Sequence, residues 1–235
     1  MKLTETHIKE LYTFTRQHYV YFYDVQTELV DHLANDIENI WLEKPNLSFE
    51  QARDISFKKF GIFGFMDVIE SRQKAMNKRY SKILWRFFKE WFTLPKSLTT
   101  ISIFLSFFFL LKISFSEYIL LSGLLILVTY DLIKQTKAKK KHKNKEQQKE
   151  KIFLLESMIG DTRQGFSFLV FINMHNFLNI IKVPFSSLEN HWLLLISLSV
   201  TCLVLLFYVT GFMIPQKAEE LLEETYPEYK LSKNL

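Results

Sequence analysis

Thr99 to Leu111 reads TTISIFLSFFFLL, and no charged residue interrupts it until Lys112. A helix packed on a water-soluble core would carry polar residues along one face of such a stretch. Lipid is the simpler solvent for it. Outward from this run the same composition returns. The chain holds 23 Phe residues among 235, with only 6 Gly and 5 Pro, and Phe in such numbers must be buried or dissolved in lipid. Four hydrophobic stretches result, at residues 94–112, 117–133, 165–183 and 191–214, against the ~20 apolar residues a crossing needs. The second lies near the short end. The third carries Asn173, His175, Asn176, Asn179 and Lys182, polar side chains that are costly in lipid unless they face other helices or water. They are the candidate polar intramembrane residues, for interhelical hydrogen bonding first and a polar path second.

Ahead of these stretches, residues 1–92 read as a charged, all-α head. Ile8, Leu11, Tyr12 and Thr15 share helical spacing. Asp24 is placed to cap a second helix with Val25, Leu29, Leu33, Ile37, Ile40 and Trp41 inward. Ser48 with Gln51 forms a capping box that opens a third helix through Ala52, Ile55 and Phe60, and Gly61 is a natural stop. A fourth helix begins near Gly64 and runs towards Trp91. Leu33, Ile37, Ile40, Trp41, Ala52, Ile55 and Phe60 are the expected core.

Seven basic residues and no acid lie between Arg72 and Lys89, beside an apolar stripe of Ile83, Leu84, Phe87, Phe88 and Trp91. That pattern suits a helix on an anionic bilayer surface. Residues 134–151 hold nine lysines against Glu146 and Glu150. Lysine-rich loops stay on the cytoplasmic side, so residues 135–164 read as a basic cytoplasmic loop between two transmembrane hairpins, 93–134 and 165–214. The tail, 215–235, is then also cytoplasmic, and the acid-containing N-terminus has no signal-peptide core. Arg79, Lys82, Arg86, Lys139, Lys140 and Lys141 are the candidate contacts for anionic lipid head groups. The loop's lysines resemble a nucleic-acid patch only when read without their membrane context, and no nucleic-acid partner is expected.

Catalytic signatures such as HExxH, GxSxG or a phosphate-cradling glycine loop are absent, so the sequence predicts a non-enzymatic protein with no cofactor. The single cysteine, Cys202, excludes an internal disulfide. Glu28, Asp31, His32 and Asp36 are the candidate partner-docking or structural residues. Glu28 and His32 share a helix face, yet two side chains fall short of the three or more protein ligands that a tight zinc site uses.

The run TELVDHLANDIENIW, then Ser48 and Ala52, then KKFGIFGFMDVIESRQ, resembles the permease-prefix domain, a HAAS-like helical module found ahead of bacterial membrane permease segments. Glu28, Leu29, His32, Leu33, Asp36, Ser48, Ala52, Phe60 and Gly61 stand where that family has its motif residues. The resemblance covers about Tyr23 to Lys74. It implies a bacterial inner-membrane setting and a head that works with a cytoplasmic regulator or a transport system. Two departures stand out: Pro45-Asn46 replaces the glycine usual before the Ser-started helix, and four short-looped spans replace a large permease core. The sequence therefore predicts a regulatory or scaffolding membrane protein, with a transporter or transporter subunit as the alternative.

Overall fold

The computed structural model describes residues 2–147, 151–160, 184–227 and 229, except for the side chains of 138, 141, 142 and 145–147. Every regular element among the described residues is helical. Two compact units divide the chain. Met1–Arg79 with Gln148–Ser157 forms the head, and Tyr80–Gln147 with Met158–Leu235 forms the second unit.

In the head, α1 (Glu5–Gln17) and α3 (Phe49–Lys58) both open on capping boxes, Thr4 with His7 and Ser48 with Gln51. Each satisfies backbone N–H groups that a helix start leaves without partners. Between them, α2 (Tyr23–Glu43) turns Val25, Leu29, Leu33, Ile37, Ile40 and Trp41 into the core. The Trp41 indole donates to the Leu47 carbonyl at 3.1 Å, tying the loop after α2 back onto the helix. Ile55 departs from expectation. It is 37% exposed, and its place on the inner face of α3 is taken by Ala52 and Ser56. The core needs small residues there because rings fill the space: Phe57, Phe60 and Phe14 lie with their centroids 4.8–6.2 Å from Phe65. Gly64 sits against that cluster at φ +55°, and a Cβ on it would come within 3.0 Å of the Phe57 ring. Left-handed backbone and close approach together explain the glycine.

The head also recruits a distant segment. Ile152, Phe153, Leu154 and Leu155 are all buried, Phe153 to 1% and Leu155 to 0% exposure. The Tyr23 N–H donates to the Ile152 carbonyl at 2.8 Å, and the Leu154 N–H donates to the Asp24 carboxylate at 3.0 Å. Phe153 meets the Tyr23 ring edge to face at 5.5 Å. Asp24 thus does not cap its own helix, whose N-cap is Phe22 without a side-chain bond. It accepts instead from the first turn of helical residues 154–160. Residues 152–155, which follow the lysine-rich loop, are therefore part of the head's core.

The fourth helix, α4 (Met66–Lys89), leads from one unit into the other. After a short 3-10 turn (Glu90–Phe92), α5 (Lys96–Leu111) meets the helix Met66–Phe92 at 80°. Next come α6 (Ser116–Gln147), α7 (Asn190–Tyr208), a π-helical turn (Val209–Met213) and α8 (Ala218–Thr225). Among the described residues two helices, Ser116–Lys137 and Asn190–Gln216, are long and apolar enough to cross a membrane, and a third candidate arises if the bent pair of α4 and α5 is one span. The 16 residues of α5 alone reach about 24 Å at ~1.5 Å per residue, short of the ~30 Å hydrocarbon core. The third hydrophobic stretch, 165–183, lies outside the described residues.

Within the second unit, α5 packs against α7. Leu193, Ser197, Thr201 and Leu205, four residues apart, form the buried face of α7. Ser197 and Thr201 each donate a hydroxyl to the carbonyl one turn back, at 2.7 Å, so small polar side chains lie in the interface with their bonds made. At the other end of α5, Leu111, Phe185 and Leu193 form an apolar plug with Phe108, Leu120 and Leu188 against it.

Candidate functional site

A cleft of about 420 Å³ opens on the head between α2, α3 and the start of α4. One turn apart along α2, Glu28, His32 and Asp36 form its polar wall. Phe60, Val68 and Leu29 supply apolar surface, and Ser56 and Lys59 close it from α3 and its C-terminal turn. The i, i+4, i+8 spacing of the three polar residues puts them on one face. Asp31 is not among them. It stands exposed on the flank of α2, where its charge acts on the Tyr12 phenol. Burial raises that phenol above its ordinary value, the hydrogen bond to Thr27 opposes the shift, and Tyr23 and Asp31 add to it.

The cleft's carboxylates are already engaged. Glu28 forms an ion pair with Arg72 of α4, and His32 Nε2 lies 3.9 Å from the same Glu28 oxygen. Lys59 Nζ stands 2.6 Å from Asp36 Oδ1. Partial burial pushes the Asp36 carboxyl up, but hydrogen bonds from Lys59 and Ser56 and the lysine's charge outweigh it, so Asp36 titrates below the usual carboxylate range. His32 is the most open member, with its side chain 65% exposed. Among the described residues, no group of three His, Cys, Asp or Glu side chains is arranged to hold a metal ion. The arrangement offers an apolar floor, an exposed imidazole and two charge pairs whose partners can be exchanged for those of an incoming segment.

A second polar group sits in the second unit. Asp131 on α6 is buried to 1% exposure and accepts from Gln135 Nε2 at 2.6 Å. Lys134 Nζ lies 3.4 Å from the Gly211 carbonyl in the π-helical turn and 4.3 Å from the centre of the Phe212 ring. A π turn leaves a carbonyl free of the ordinary helical ladder, and such turns gather at functional sites. Spacing alone does not reveal this group, because residue 131 falls inside the second hydrophobic stretch while 134 and 135 fall at the junction with the basic loop. Asn173, His175, Asn176 and Asn179 lie outside the described residues.

Of the expected lipid-contact residues, Arg79, Lys82, Lys139 and Lys140 are exposed, and the side chain of Lys141 lies outside the described set. Arg86 donates from Nη1 and Nη2 to the two carboxylate oxygens of Glu224 on α8, each at 3.2 Å. That hydrogen-bonded carboxylate raises the guanidinium further above its ordinary value. The apolar stripe beside it is covered by protein. Ile83, Phe87 and Phe88 are buried, and Lys217 lies over the Phe87 ring at 5.5 Å.

Set against protein-family models, curated proteins and solved structures, the chain has no match. Its function is read from the chemistry of these residues.

Proposed function

We propose that the chain is a multi-pass inner-membrane protein of regulatory or scaffolding type, without catalytic chemistry of its own, whose cytoplasmic head docks a partner in the Glu28–His32–Asp36 cleft. Four crossings, at residues 94–112, 117–133, 165–183 and 191–214, place the head, the basic loop and both termini on the cytoplasmic side. Lysine asymmetry supports that orientation, and anionic head groups are the expected neighbours of Arg79, Lys82 and Lys139–Lys141. The resemblance of Tyr23–Lys74 to the permease-prefix module supports the bacterial setting and the docking role.

The observation that carries the membrane part is the reversal of burial in the second unit, where Asp131 is inside and Ile126 is 69% exposed. Lipid is the solvent that favours that order. The cleft carries the docking part, since it joins apolar surface to charges that can change partners. Cysteine labelling tests the topology in a Cys202→Ser background. Ser187→Cys should react with a membrane-impermeant reagent added outside the cell, and Lys143→Cys should not. The reverse pattern ends the orientation. For docking, purification in native lipid should retain a partner with the parent protein and lose it with His32→Glu. Equal retention by both removes the cleft from the account.

The transporter reading draws on the buried carboxylate of Asp131, bonded to Gln135, with the half-buried Lys134 beside the π turn, since ionisable side chains within a span mark ion pathways. Asp131→Asn separates the two readings. It abolishes solute flux in reconstituted vesicles if the protein transports, and leaves partner retention unchanged if it scaffolds.

A further inference from the structure

The last turns of α4 carry an apolar stripe that protein covers, so the stripe is not what meets a membrane. The opposite face tells more. At ~100° per residue, Lys82, Trp85 and Lys89 fall within about 60° of one another and roughly opposite Tyr80, Ile83 and Phe87. Lys82 and Lys89 are exposed, and Trp85 is 54% exposed although its ring is among the largest apolar surfaces in the chain. Lys89 Nζ lies 5.4 Å from the centre of that ring. Phe92 and Leu94, just beyond the helix end, are exposed as well. An indole with lysines beside it and apolar side chains at the next turn has the composition of a membrane interface: the ring sits at head-group depth and the ammonium groups meet phosphate.

Geometry agrees with composition. The helix Met66–Phe92 meets α5 at 80°, so where α5 enters a bilayer steeply, the end of α4 lies along its surface. Arg86, on the rim of the same face, is held by Glu224 and leaves head-group binding to the lysines.

We propose that Lys82, Trp85, Lys89, Phe92 and Leu94 form an interfacial anchor that binds the phosphate of anionic phospholipids, with Trp85 inserted at head-group level. It rests on the membrane reading above and assigns the contact to the face opposite the apolar stripe. The occupant is lipid and not a protein groove because charge and aromatic character coincide at the foot of α5, the first crossing of the proposed topology, where the bilayer is always within reach.

The test uses the full chain in nanodiscs of phosphatidylcholine alone or mixed with phosphatidylglycerol. Preference for the anionic lipid is measured from spin-labelled lipids, and quenching of tryptophan by lipids brominated near the head group is measured alongside in a Trp192→Phe parent, because Trp192 is exposed at the end of another proposed crossing. Lys82→Gln and Lys89→Gln should each lower the preference about fivefold, the equivalent of ~1 kcal/mol per lysine at the surface. Lys82→Arg with Lys89→Arg should keep it, and Trp85→Phe should remove most of the head-group quenching. Unchanged preference in the Gln variants, or quenching that survives Trp85→Phe, overturns the anchor. Quenching absent from the parent protein gives the face to another occupant and also overturns it. A chain that fails to enter nanodiscs at all would instead count against the membrane reading.

Discussion

Along α2 of the head, Leu33, Ile37 and Trp41 are buried, while Asp31, His32 and Asn35 meet solvent. Along α6 and α7 the order turns over: Ile126, Leu195 and Leu198 face outward, while Asp131, Gln135, Ser197 and Thr201 lie inside. One chain therefore carries two burial rules. The head obeys the rule for water, in which apolar area removed from solvent is the main gain. The second unit obeys the rule for lipid, in which polar groups must find partners inside and apolar surface costs nothing outside. The same substitution should then have opposite consequences in the two units.

The largest effect belongs to the head. Trp41→Ala removes a buried indole and its bond to Leu47, and should cost about 3–5 kcal/mol, comparable to the whole stability of a small domain. Hydrogen exchange in α2 of the full chain should rise to the level of an unfolded segment. Retained protection would place Trp41 outside the core. Next is Phe153→Ala, at about 3 kcal/mol. Its effect should appear at Tyr23 and Asp24, far away in sequence, as lost protection at the start of α2, because residues 152–155 close the core there. Loss confined to residues 151–160 would show that the segment merely rests on the head.

In the second unit, Ser197→Leu should destabilise by about 1–3 kcal/mol through overpacking, whereas Leu198→Ala, one residue on and outward, should change stability by less than about 0.5 kcal/mol. Equal stability of the two variants would place Ser197 outside the packed interior of the unit. Smallest is the charge pair of the cleft. Asp36 titrates lower in the folded head than in an unfolded chain, so its contribution is complete above the unfolded value and is lost as pH falls through the folded one, below about pH 4. Asp36→Asn should remove about 0.5–1 kcal/mol at neutral pH and flatten that acid limb. An acid limb unchanged by the substitution would separate Asp36 from Lys59 in solution.

Much of this was legible in the residues. The capping box at Ser48, the inward face of α2 and the apolar runs that became α6 and α7 follow from spacing and composition alone. So does the shared face of Glu28 and His32, now the wall of a cleft that Asp36, and not Asp31, completes. What spacing cannot supply is the partner across a long loop. Arg72 opposite Glu28 and Lys59 opposite Asp36 come from other elements, and Leu154 reaches Asp24 across 130 positions. The four apolar residues Ile152 to Leu155 after the lysine run were the available signal, but a short apolar run names neither its helix nor its destination. Ile55 was misplaced for a related reason, since helical periodicity gives a face but not which edge of it meets bulky rings. The π turn around Gly211 has no sequence mark, and its pairing with Lys134 depends on how α6 and the end of α7 approach.

The most direct test of the two burial rules is solvent accessibility at exposed apolar positions, one rule against the other. Nitroxide labels placed singly at Leu42 in the head and at Ile126 and Leu198 in the second unit, in reconstituted Cys202→Ser protein, would be probed with oxygen and with a water-soluble nickel chelate. Leu42 is more exposed than the other two, yet only Ile126 and Leu198 should show high oxygen and low nickel accessibility, while Leu42 shows the opposite. High nickel accessibility at Ile126 and Leu198 would place their faces in water and contradict the account.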